Sequence, residues 1–308
     1  MVVTIAHLSD PHLAPMAAFS LGHLRTKRLL GYLNWQRNRK AAHLRPVLEQ
    51  LVLDLLEQAP DHIAVTGDLV NIGLPVEHVG ALAWLRQLGP EERVTVVPGN
   101  HDIYVRMRRD PGAMRWRSYM TGAGETPQEA APAFPFVRRL GDVALIGLNS
   151  ALPRPPFIAS GRIGRAQLDA LQPLLVRLGG EGLCRVVLVH HPPLPGQAPR
   201  SRALEDAHQL ADVLRTGGAE LVLHGHNHQA SLVWCERAGG LPRIPVVGVP
   251  SASIGIAHHD ALARYNLVRI EKVGTRWALN LLGRGLAEPG GGVVELERLD
   301  LADAAPVR

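Results

Sequence analysis

The sequence predicts an α/β protein in which buried strands alternate with helices. Six short apolar runs end abruptly at polar residues, and they are VVTIAHL, HIAVTG, VTVVPG, VALIGLN, RVVLVHH and ELVLHG. Between many of these runs lie segments with apolar residues at helical spacing, namely RPVLEQLVLDLLEQ, VEHVGALAWLRQL, GRAQLDALQPLLVRL and LEDAHQLADVLRTG. Alternation of this kind is typical of layered α/β folds with buried strands.

The pattern changes after residue 228. The later segments ASLVWCER, RIPVVGVP, ARYNLVRI and RWALNLL resemble strands, with few helical stretches between them. They predict a second, more antiparallel sheet. From Leu286 onward the chain is rich in Gly, Pro and Ala, so residues 286–308 are expected to form a partly loose C-terminal tail. Residues 1–285 are expected to form a single domain.

Composition indicates a globular protein, since 46% of its 308 residues are hydrophobic and 20% are charged. No basic leader precedes Asp10 and no run of 18 apolar residues occurs, so neither a signal peptide nor a membrane span is expected. The two cysteines, Cys184 and Cys235, are expected to be buried free thiols in a reducing compartment. A cytoplasmic location is therefore predicted.

Residues that can bind metals follow the ends of five apolar runs. The clusters are Asp10-Pro11-His12, Gly67-Asp68, Gly99-Asn100-His101-Asp102, His190-His191-Pro192-Pro193 and Gly225-His226-Asn227-His228. In open α/β sheets, ligands bind beyond the carboxyl ends of the strands. Asp, His and Asn side chains are therefore expected at one rim, where they suit two divalent ions such as Zn²⁺, Mn²⁺ or Fe.

The spacing within the clusters supports a shared site. Side chains two positions apart on an extended segment point the same way, so Asp10 and His12 can converge. Each cluster alone has a simpler interpretation: Gly-Asp is a turn signal, and Asp102 could cap a helix. Five clusters in order, each after an apolar run, favour a metal site over these separate interpretations.

The five clusters closely resemble the signature of the calcineurin-like metallophosphoesterases, which is D-x-H, G-D, G-N-H-[DE], a strand-terminal H and G-H-x-H. The resemblance implies a four-layer α/β/β/α sandwich of two mixed β-sheets flanked by helices. It also implies a dinuclear metal centre at one edge of the sandwich. All five blocks are present between residues 10 and 228.

The resemblance also implies residue roles. One metal would be held by Asp10, His12, Asp68 and His228, and the second by Asp68, Asn100, His190 and His226. His190 is preferred over His191 because the family's histidine is followed one residue later by proline. His101 would be the catalytic residue that binds no metal, and it would protonate the leaving-group oxygen or stabilise phosphoryl charge.

Departures from two related groups narrow the expected activity. Purple acid phosphatases are similar but have glycine where His12 stands and tyrosine where Asn71 stands. Serine/threonine phosphatases carry motifs that differ from SDPHL and GDLVN. The remaining resemblance is to bacterial phosphodiesterases, which include cyclic-nucleotide phosphodiesterases, glycerophosphodiesterases and UDP-diacylglucosamine pyrophosphatases. A cyclic nucleotide is the first candidate substrate, and a non-catalytic binding module is an alternative that the presence of His101 disfavours.

Two basic runs follow two of the metal clusters, within a net charge of +5. Residues 20–45 hold seven Lys or Arg and no acid, and residues 103–120 hold five Arg against one Asp. Positive potential near the metals would attract a small anionic phosphate ester, whereas no stable nucleic-acid partner is predicted. The candidate substrate-binding residues are Arg25, Arg28, Arg106 and Arg108.

The first basic run belongs to an inserted amphipathic segment, residues 16–45. The stretch LGHLRTKRLLGYLNW places Leu21, Leu24, Leu29, Leu33 and Trp35 among basic residues. The favoured interpretation is that these side chains pack on the protein's own core. The alternative is peripheral contact with the anionic inner membrane surface, which would favour a lipid-linked substrate of the UDP-diacylglucosamine type. No role is assigned to His258 and His259.

Overall fold

The computed structural model describes residues 2–14, 16, 27–107, 110–122, 133–256 and 261–302, apart from the side chain of Asn38. Its strands are β1 (Val2–Leu8), β2 (His62–Val65), β3 (Val94–Val96), β4 (Phe136–Leu140), β5 (Val143–Gly147), β6 (Cys184–Leu188), β7 (Leu221–His224), β8 (Ser231–Cys235), β9 (Ile244–Gly248), β10 (Arg264–Val273), β11 (Arg276–Leu286) and β12 (Val293–Asp300). Its helices are α1 (Lys27–Asn34), α2 (Lys40–Ala42), α3 (Arg45–Glu57), α4 (Pro75–Leu88), α5 (Arg165–Gly180) and α6 (Ala207–Gly217). A π-helical turn, Trp35–Arg39, joins α1 to α2, and Gly112–Met120 and Ala238–Gly240 are 3₁₀ helices.

The strands form two six-stranded sheets. The first sheet has the order β12-β11-β10-β1-β2-β3, and the second has the order β4-β5-β6-β7-β9-β8. Strand β1 pairs in parallel with β2 and antiparallel with β10, so the first sheet is mixed. The second sheet is mixed as well, because β5, β6, β7 and β9 are parallel while β4 and β8 are antiparallel edge strands.

Side-chain alternation in the second sheet defines the layers. Val143 and Leu145 of β5 join the core that lies between the two sheets. Ala144 and Ile146, at the intervening positions, join a second core with residues of α5 and α6. Since successive side chains point to opposite faces, one face of this sheet packs on the other sheet and the other face packs on helices. The predicted architecture of two mixed sheets flanked by helices is confirmed.

The strands that follow residue 228 do not form a sheet of their own, so that prediction is wrong. Strands β8 and β9 extend the second sheet, whereas β10 and β11 join the first sheet beside β1. An alternating apolar pattern identifies a strand but does not identify the strand it pairs with.

The region predicted as a C-terminal tail contains strand β12. Its eight residues, Val293–Asp300, pair with β11 and form the edge of the first sheet. Most of its side chains are exposed, and several are charged. Charged side chains are common on edge strands because they discourage pairing with other molecules. The residues rich in Gly, Pro and Ala on either side of β12 made the region resemble a loose tail in the sequence.

The inserted segment packs on the body of the protein through small and polar groups. Arg28 of α1 donates hydrogen bonds to the carbonyl oxygens of Ile72 and Gly73, and a Cβ at Gly31 would overlap the hydroxyl of Tyr104. Trp35 is buried, but Leu29 and Leu33 are 43% and 39% exposed. The favoured interpretation, core packing, is therefore wrong for both leucines. Leu21 and Leu24 lie outside the described residues.

Candidate metal centre

The predicted ligands lie where strands of both sheets end. Asp10, His12, Asp68 and Asn100 follow β1, β2 and β3 of the first sheet, and His190, His226 and His228 follow β6 and β7 of the second. All seven side chains are buried. The two groups meet, because Nε2 of His190 lies 3.4 Å from Oδ2 of Asp68 and Nε2 of His228 lies 3.2 Å from Oδ1 of Asp10.

Five of these residues have a left-handed backbone conformation. Their φ angles are 53° at Asp10, 38° at His12, 55° at Asp68, 69° at His226 and 53° at His228. Two further non-glycine residues with positive φ occur in the described parts of the chain. The left-handed region is unfavourable for side chains with a Cβ, and such strain is concentrated at functional sites. Backbone hydrogen bonds, such as the one from the Asp10 N–H to the Gly67 carbonyl (2.9 Å), hold the loops in place.

The first group of donor atoms contains an unpartnered nitrogen. The ligand atoms of Asp10, His12 and His228 lie within 4.8 Å of one another. Nδ1 of His12 is 3.2 Å from the Val70 carbonyl, so it carries the ring proton and donates it. Nε2 of His12 is buried without a hydrogen-bond partner in the described structure, and it lies 3.8 Å from carboxylate oxygens of Asp10 and Asp68. A cation beside these atoms would pair with the ring nitrogen and with both carboxylates.

The second group surrounds Nε2 of His190. This atom lies 3.1 Å from Oδ1 of Asn100, 3.2 Å from Nδ1 of His226 and 3.4 Å from Oδ2 of Asp68. The opposite ring nitrogens are anchored, since His190 Nδ1–H donates to the Thr66 carbonyl (2.6 Å) and His226 Nε2–H donates to the Arg202 carbonyl (2.9 Å). Metal-binding histidines usually have such an anchoring acceptor, which fixes the tautomer.

The geometry favours His190 over its neighbour His191 as a ligand. Both rings are buried, and donor atoms of His190, His191 and His226 approach within 4.8 Å. However, Nδ1 of His191 contacts the Ser150 hydroxyl (2.8 Å) and Nε2 donates to the Ala159 carbonyl (3.0 Å). Both nitrogens of His191 are therefore engaged with the surrounding loops, whereas Nε2 of His190 faces the carboxylate of Asp68.

Asp68 occupies the middle of the cluster. Its Oδ2 faces His12 and His190, and its Oδ1 accepts a hydrogen bond from the backbone N–H of His101 (2.7 Å). Although burial opposes ionisation, the neighbouring His190 and His101 hold the pKa of Asp68 well below its usual range. The side chain is therefore an anion between the two groups of donors, as a bridging ligand must be.

Asp102 stabilises the two loops that carry Asp68 and Asn100. Its carboxylate accepts hydrogen bonds from the backbone N–H groups of Gly99 (2.8 Å), Asp68 (2.9 Å), Leu69 (2.9 Å) and Val70 (3.2 Å). Burial and the nearby Asp68 raise the pKa of Asp102 to about 7, against the effect of these donors. The sequence suggested a helix cap here, and the structure instead shows a link between two loops of the centre.

The donor set fits divalent cations. It combines carboxylate, amide and imidazole donors, a mixture that Zn²⁺, Mn²⁺ and Fe accept. Buried carboxylates that lie beside an unpartnered nitrogen would be unfavourable without a compensating cation. The residues present therefore fit a metal centre, with Asp68 placed to serve both groups.

A family model of the calcineurin-like phosphoesterases matches residues 3–230. The chain belongs to the calcineurin-like phosphoesterase family. This confirms the family indicated by the five sequence clusters. All seven predicted ligands and His101 fall within the matched residues.

Three relatives of this phosphoesterase are phosphodiesterases by name. A probable cyclic nucleotide phosphodiesterase of Rhodococcus erythropolis is 27% identical over 231 residues, or 74% of this chain and 65% of the relative. The glycerophosphodiester phosphodiesterase GpdQ of Enterobacter lignolyticus is 27% identical over 284 residues, or 89% and 88%. A probable cyclic nucleotide phosphodiesterase of Synechococcus is matched over 61% of its length. The match therefore covers less than two thirds of either probable cyclic nucleotide phosphodiesterase.

Two solved structures share the fold of this phosphoesterase. A dimetal phosphatase from Danio rerio aligns with a TM-score of 0.60 at 13% identity, covering 98% of this chain and 99% of that protein. The purple acid phosphatase PPD1 from yellow lupin aligns with a TM-score of 0.57 at 13% identity, covering 98% of this chain and 54% of the lupin protein. At this identity the likeness establishes the common architecture.

The centre opens into a cavity of about 500 Å³. The inserted segment lines the cavity with Lys27, Leu30 and Arg39, and the loop that carries Phe157 lines another part of it. Among the cavity residues are also Asp68, Asn100, His101, His226 and His228 of the predicted centre. The arrangement gives a small substrate access to the predicted ligands and to His101.

The cations that line the cavity differ from the four arginines proposed from sequence. Arg25 and Arg108 lie outside the described residues, and Arg28 anchors α1 to the loop after Asp68. Arg106 is exposed. In the described part of the chain, the basic side chains that line the cavity are Lys27, Arg39 and Arg202.

Sequence reasoning did not single out Lys27, Arg39, Arg202 or His43. The ring of His43 contacts that of His12 edge-on, with centroids 4.6 Å apart. Lys27 and Arg39 belong to the basic run that was noticed, but its spacing did not show which cations turn inward. Burial lowers the pKa of Lys27 to about 8, although Asp68 opposes this effect.

Metal binding is expected to release a proton and to become tighter as pH rises. Although burial favours the neutral form, Asp68 raises the pKa of His190 to about 9, so the metal-free protein carries a proton there at neutral pH. Burial holds the pKa values of His12 and His226 well below their usual range, so both are already neutral. Because a cation must displace the His190 proton, apparent affinity should rise up to about tenfold per pH unit until that pKa is passed.

Calorimetric titration with Mn²⁺ in buffers of different ionisation enthalpy measures both quantities. We expect about one proton released per protein at neutral pH. Affinity that stays constant from mildly acidic to mildly alkaline pH would contradict the prediction.

Proposed function

We propose that this protein is a dinuclear metal-dependent phosphodiesterase that acts on a small anionic substrate, with a cyclic nucleotide as the first candidate. The observation that carries the proposal is the position of His101 beside seven buried metal-type donors, in a cavity of about 500 Å³. Basic side chains in the cavity walls suit an anionic substrate. The names of the two probable cyclic nucleotide phosphodiesterases support the substrate class.

The chain divides the ligands between two positions. One cation would be held by Asp10, His12, Asp68 and His228, and the other by Asp68, Asn100, His190 and His226. When bound, two such cations supply Lewis-acid stabilisation of phosphoryl charge and lower the pKa of water toward neutrality.

The surroundings of His101 support a role for its Nε2 in proton transfer. Nδ1–H donates to the carbonyl of Asn71, which fixes the proton on that nitrogen and turns Nε2 toward the cavity. The ring stacks on Tyr104, with centroids 5.4 Å apart, and meets His12 edge-on at 5.0 Å. Burial and the neighbouring Arg39 lower the pKa of His101 to about 3, so the ring is neutral and Nε2 would first take up a proton from water in the cavity and then pass it to the leaving-group oxygen.

A substrate panel with Mn²⁺-loaded protein tests the proposal. The panel contains cyclic nucleotides, glycerophosphodiesters, nucleotide-sugar pyrophosphates and bis-p-nitrophenyl phosphate. We expect turnover of the synthetic diester and the highest kcat/KM for a cyclic nucleotide. Turnover of the synthetic diester without turnover of any cyclic nucleotide would refute the substrate class. No turnover of any member would refute the enzymatic function and favour a metal-stabilised binding module.

A lipid-linked substrate is a second candidate because the cavity mouth has exposed apolar side chains. Leu29, Leu30 and Leu33 of α1 are exposed, and Leu30 lines the cavity. Phe157, which also lines the cavity, is 88% exposed and has a left-handed φ of 67°. Exposed apolar groups beside basic residues are typical of proteins that contact anionic bilayers.

Co-sedimentation with phosphatidylglycerol vesicles at low salt separates the two candidates. A lipid-linked substrate requires binding that Phe157→Ser weakens, whereas Val176→Ser, an exposed position on α5, serves as the matched control. Absence of binding would leave the small soluble diester as the candidate. None of the helices described is long and apolar enough to cross a membrane.

A further inference from the structure

Arg39 lies in the cavity wall against the catalytic histidine. Its Nη1 is 2.8 Å from Nε2 of His101 and 3.2 Å from Nδ1 of the same ring. Because Nη1 is close to both ring nitrogens, the guanidinium packs against the imidazole of His101 rather than lying along one lone pair. The guanidinium therefore sits at the cavity side of the ring, where a substrate would bind.

The guanidinium has donors left over. Among the described residues, Nη1 of Arg39 has hydrogen-bond partners, whereas its Nε and Nη2 have none. No carboxylate of these residues lies within ion-pair distance of the guanidinium. Burial lowers the pKa of Arg39, and the more distant Asp68 partly compensates. Arg39 is half-buried, and a half-buried cation without an anion in contact is less favourable than a paired one. An anionic substrate entering the cavity would supply the missing partner.

The fold places this side chain firmly. Arg39 ends the π-helical turn that begins at the buried Trp35, and the Lys40 N–H donates to the Trp35 carbonyl. π-helical turns occur frequently at functional sites, where the extra residue re-aims the side chains. On the other side of the turn, Arg28 ties α1 to the loop that follows Asp68. Arg39 is therefore held by the turn that carries it and by the anchored helix that precedes the turn.

We propose that Arg39 binds a non-bridging phosphoryl oxygen of the substrate and at the same time positions the His101 ring. Nη1 contacts the ring, which leaves Nε–H and Nη2–H for the substrate. These two donors lie parallel on one edge of a guanidinium and match the spacing of two phosphate oxygens. The inserted segment then has a defined role, because it delivers the cation that pairs with the reacting phosphate. This inference rests on the function proposed for the same cavity.

Binding of inorganic phosphate to the Mn²⁺-loaded protein tests the assignment without requiring a known substrate. We expect Arg39→Ala to weaken phosphate binding about 10- to 100-fold, the range for hydrogen bonds to a charged group. Arg39→Lys should recover part of this loss, because the charge returns without the paired donors. Arg37→Ala is the matched control, since Arg37 is exposed on the same turn, and it should change binding by less than about twofold.

Steady-state kinetics with bis-p-nitrophenyl phosphate and metal analysis complete the test. We expect Arg39→Ala to raise KM and to lower kcat, with metal content equal to that of the wild type. Three results would each overturn the assignment: unchanged phosphate affinity in Arg39→Ala, an equal loss in Arg37→Ala, or metal loss in both Arg39 variants. Since phosphate binding is measured directly, failure of the substrate panel does not affect this test.

Discussion

Replacement of Asp68 by asparagine is expected to remove metal from both positions and to abolish most activity. The change keeps the shape of the side chain and an acceptor for the His101 N–H, but it removes the charge that faces His12 and His190. Each bound metal contributes several kcal/mol of transition-state stabilisation, so kcat/KM should fall roughly 10³-fold or more.

Elemental analysis after dialysis measures the metal content directly. The control is Asp212→Asn, because Asp212 is an exposed carboxylate on α6 whose partner is the surface residue Arg215. We expect this control to keep its metal and its activity. Two retained metal equivalents in the Asp68→Asn protein would refute the bridging role.

Replacement of His101 by alanine is expected to lower kcat by about 10²- to 10⁴-fold while the metals stay bound. The ring lines the cavity, and its backbone N–H, which contacts Asp68, is unaffected by the change. If Nε2 protonates the leaving group, the loss should be larger for an alkyl leaving group than for p-nitrophenolate, which needs less assistance.

The comparison of two substrates makes this prediction specific. His208→Ala is a suitable control, since His208 is exposed on α6. Equal losses for both leaving groups would argue against proton transfer, and unchanged turnover would exclude His101 from catalysis. Loss of metal in the His101→Ala protein would mean that the ring supports the centre rather than the reaction.

The sequence indicated that the predicted ligands would lie close together because they follow strand ends. Asp10, Asp68 and His190 each come directly after a buried apolar run, and parallel strands bring such ends to one edge. Local pattern and resemblance were therefore sufficient for the family and the layered architecture. The ligand assignments remain predictions that the observed distances support.

The features that the sequence could not reveal depend on contacts between distant residues. Arg39 meets His101 across 62 positions, and nothing in a basic run shows which side chain turns inward. In the sequence Asp102 appeared to be a simple helix cap. Three of the four backbone N–H groups that bind its carboxylate lie on a loop more than thirty positions away, and the fourth belongs to Gly99. Strands β10 and β11 were recognised, but their pairing with the first sheet depends on the core that they share with β1.

The pairing of β1 with β10 has a consequence for folding on the ribosome. Val2 of β1 lies opposite Glu271 of β10, and the Ser251 hydroxyl donates to the Asp10 carbonyl (2.6 Å). Contacts of such long sequence separation form slowly, and β10 is synthesised long after β1. Until then the apolar strand VVTIAHL keeps one edge open, which is a site for aggregation. The pairing that supports the Asp10 end of β1 is therefore completed only after β10 has emerged.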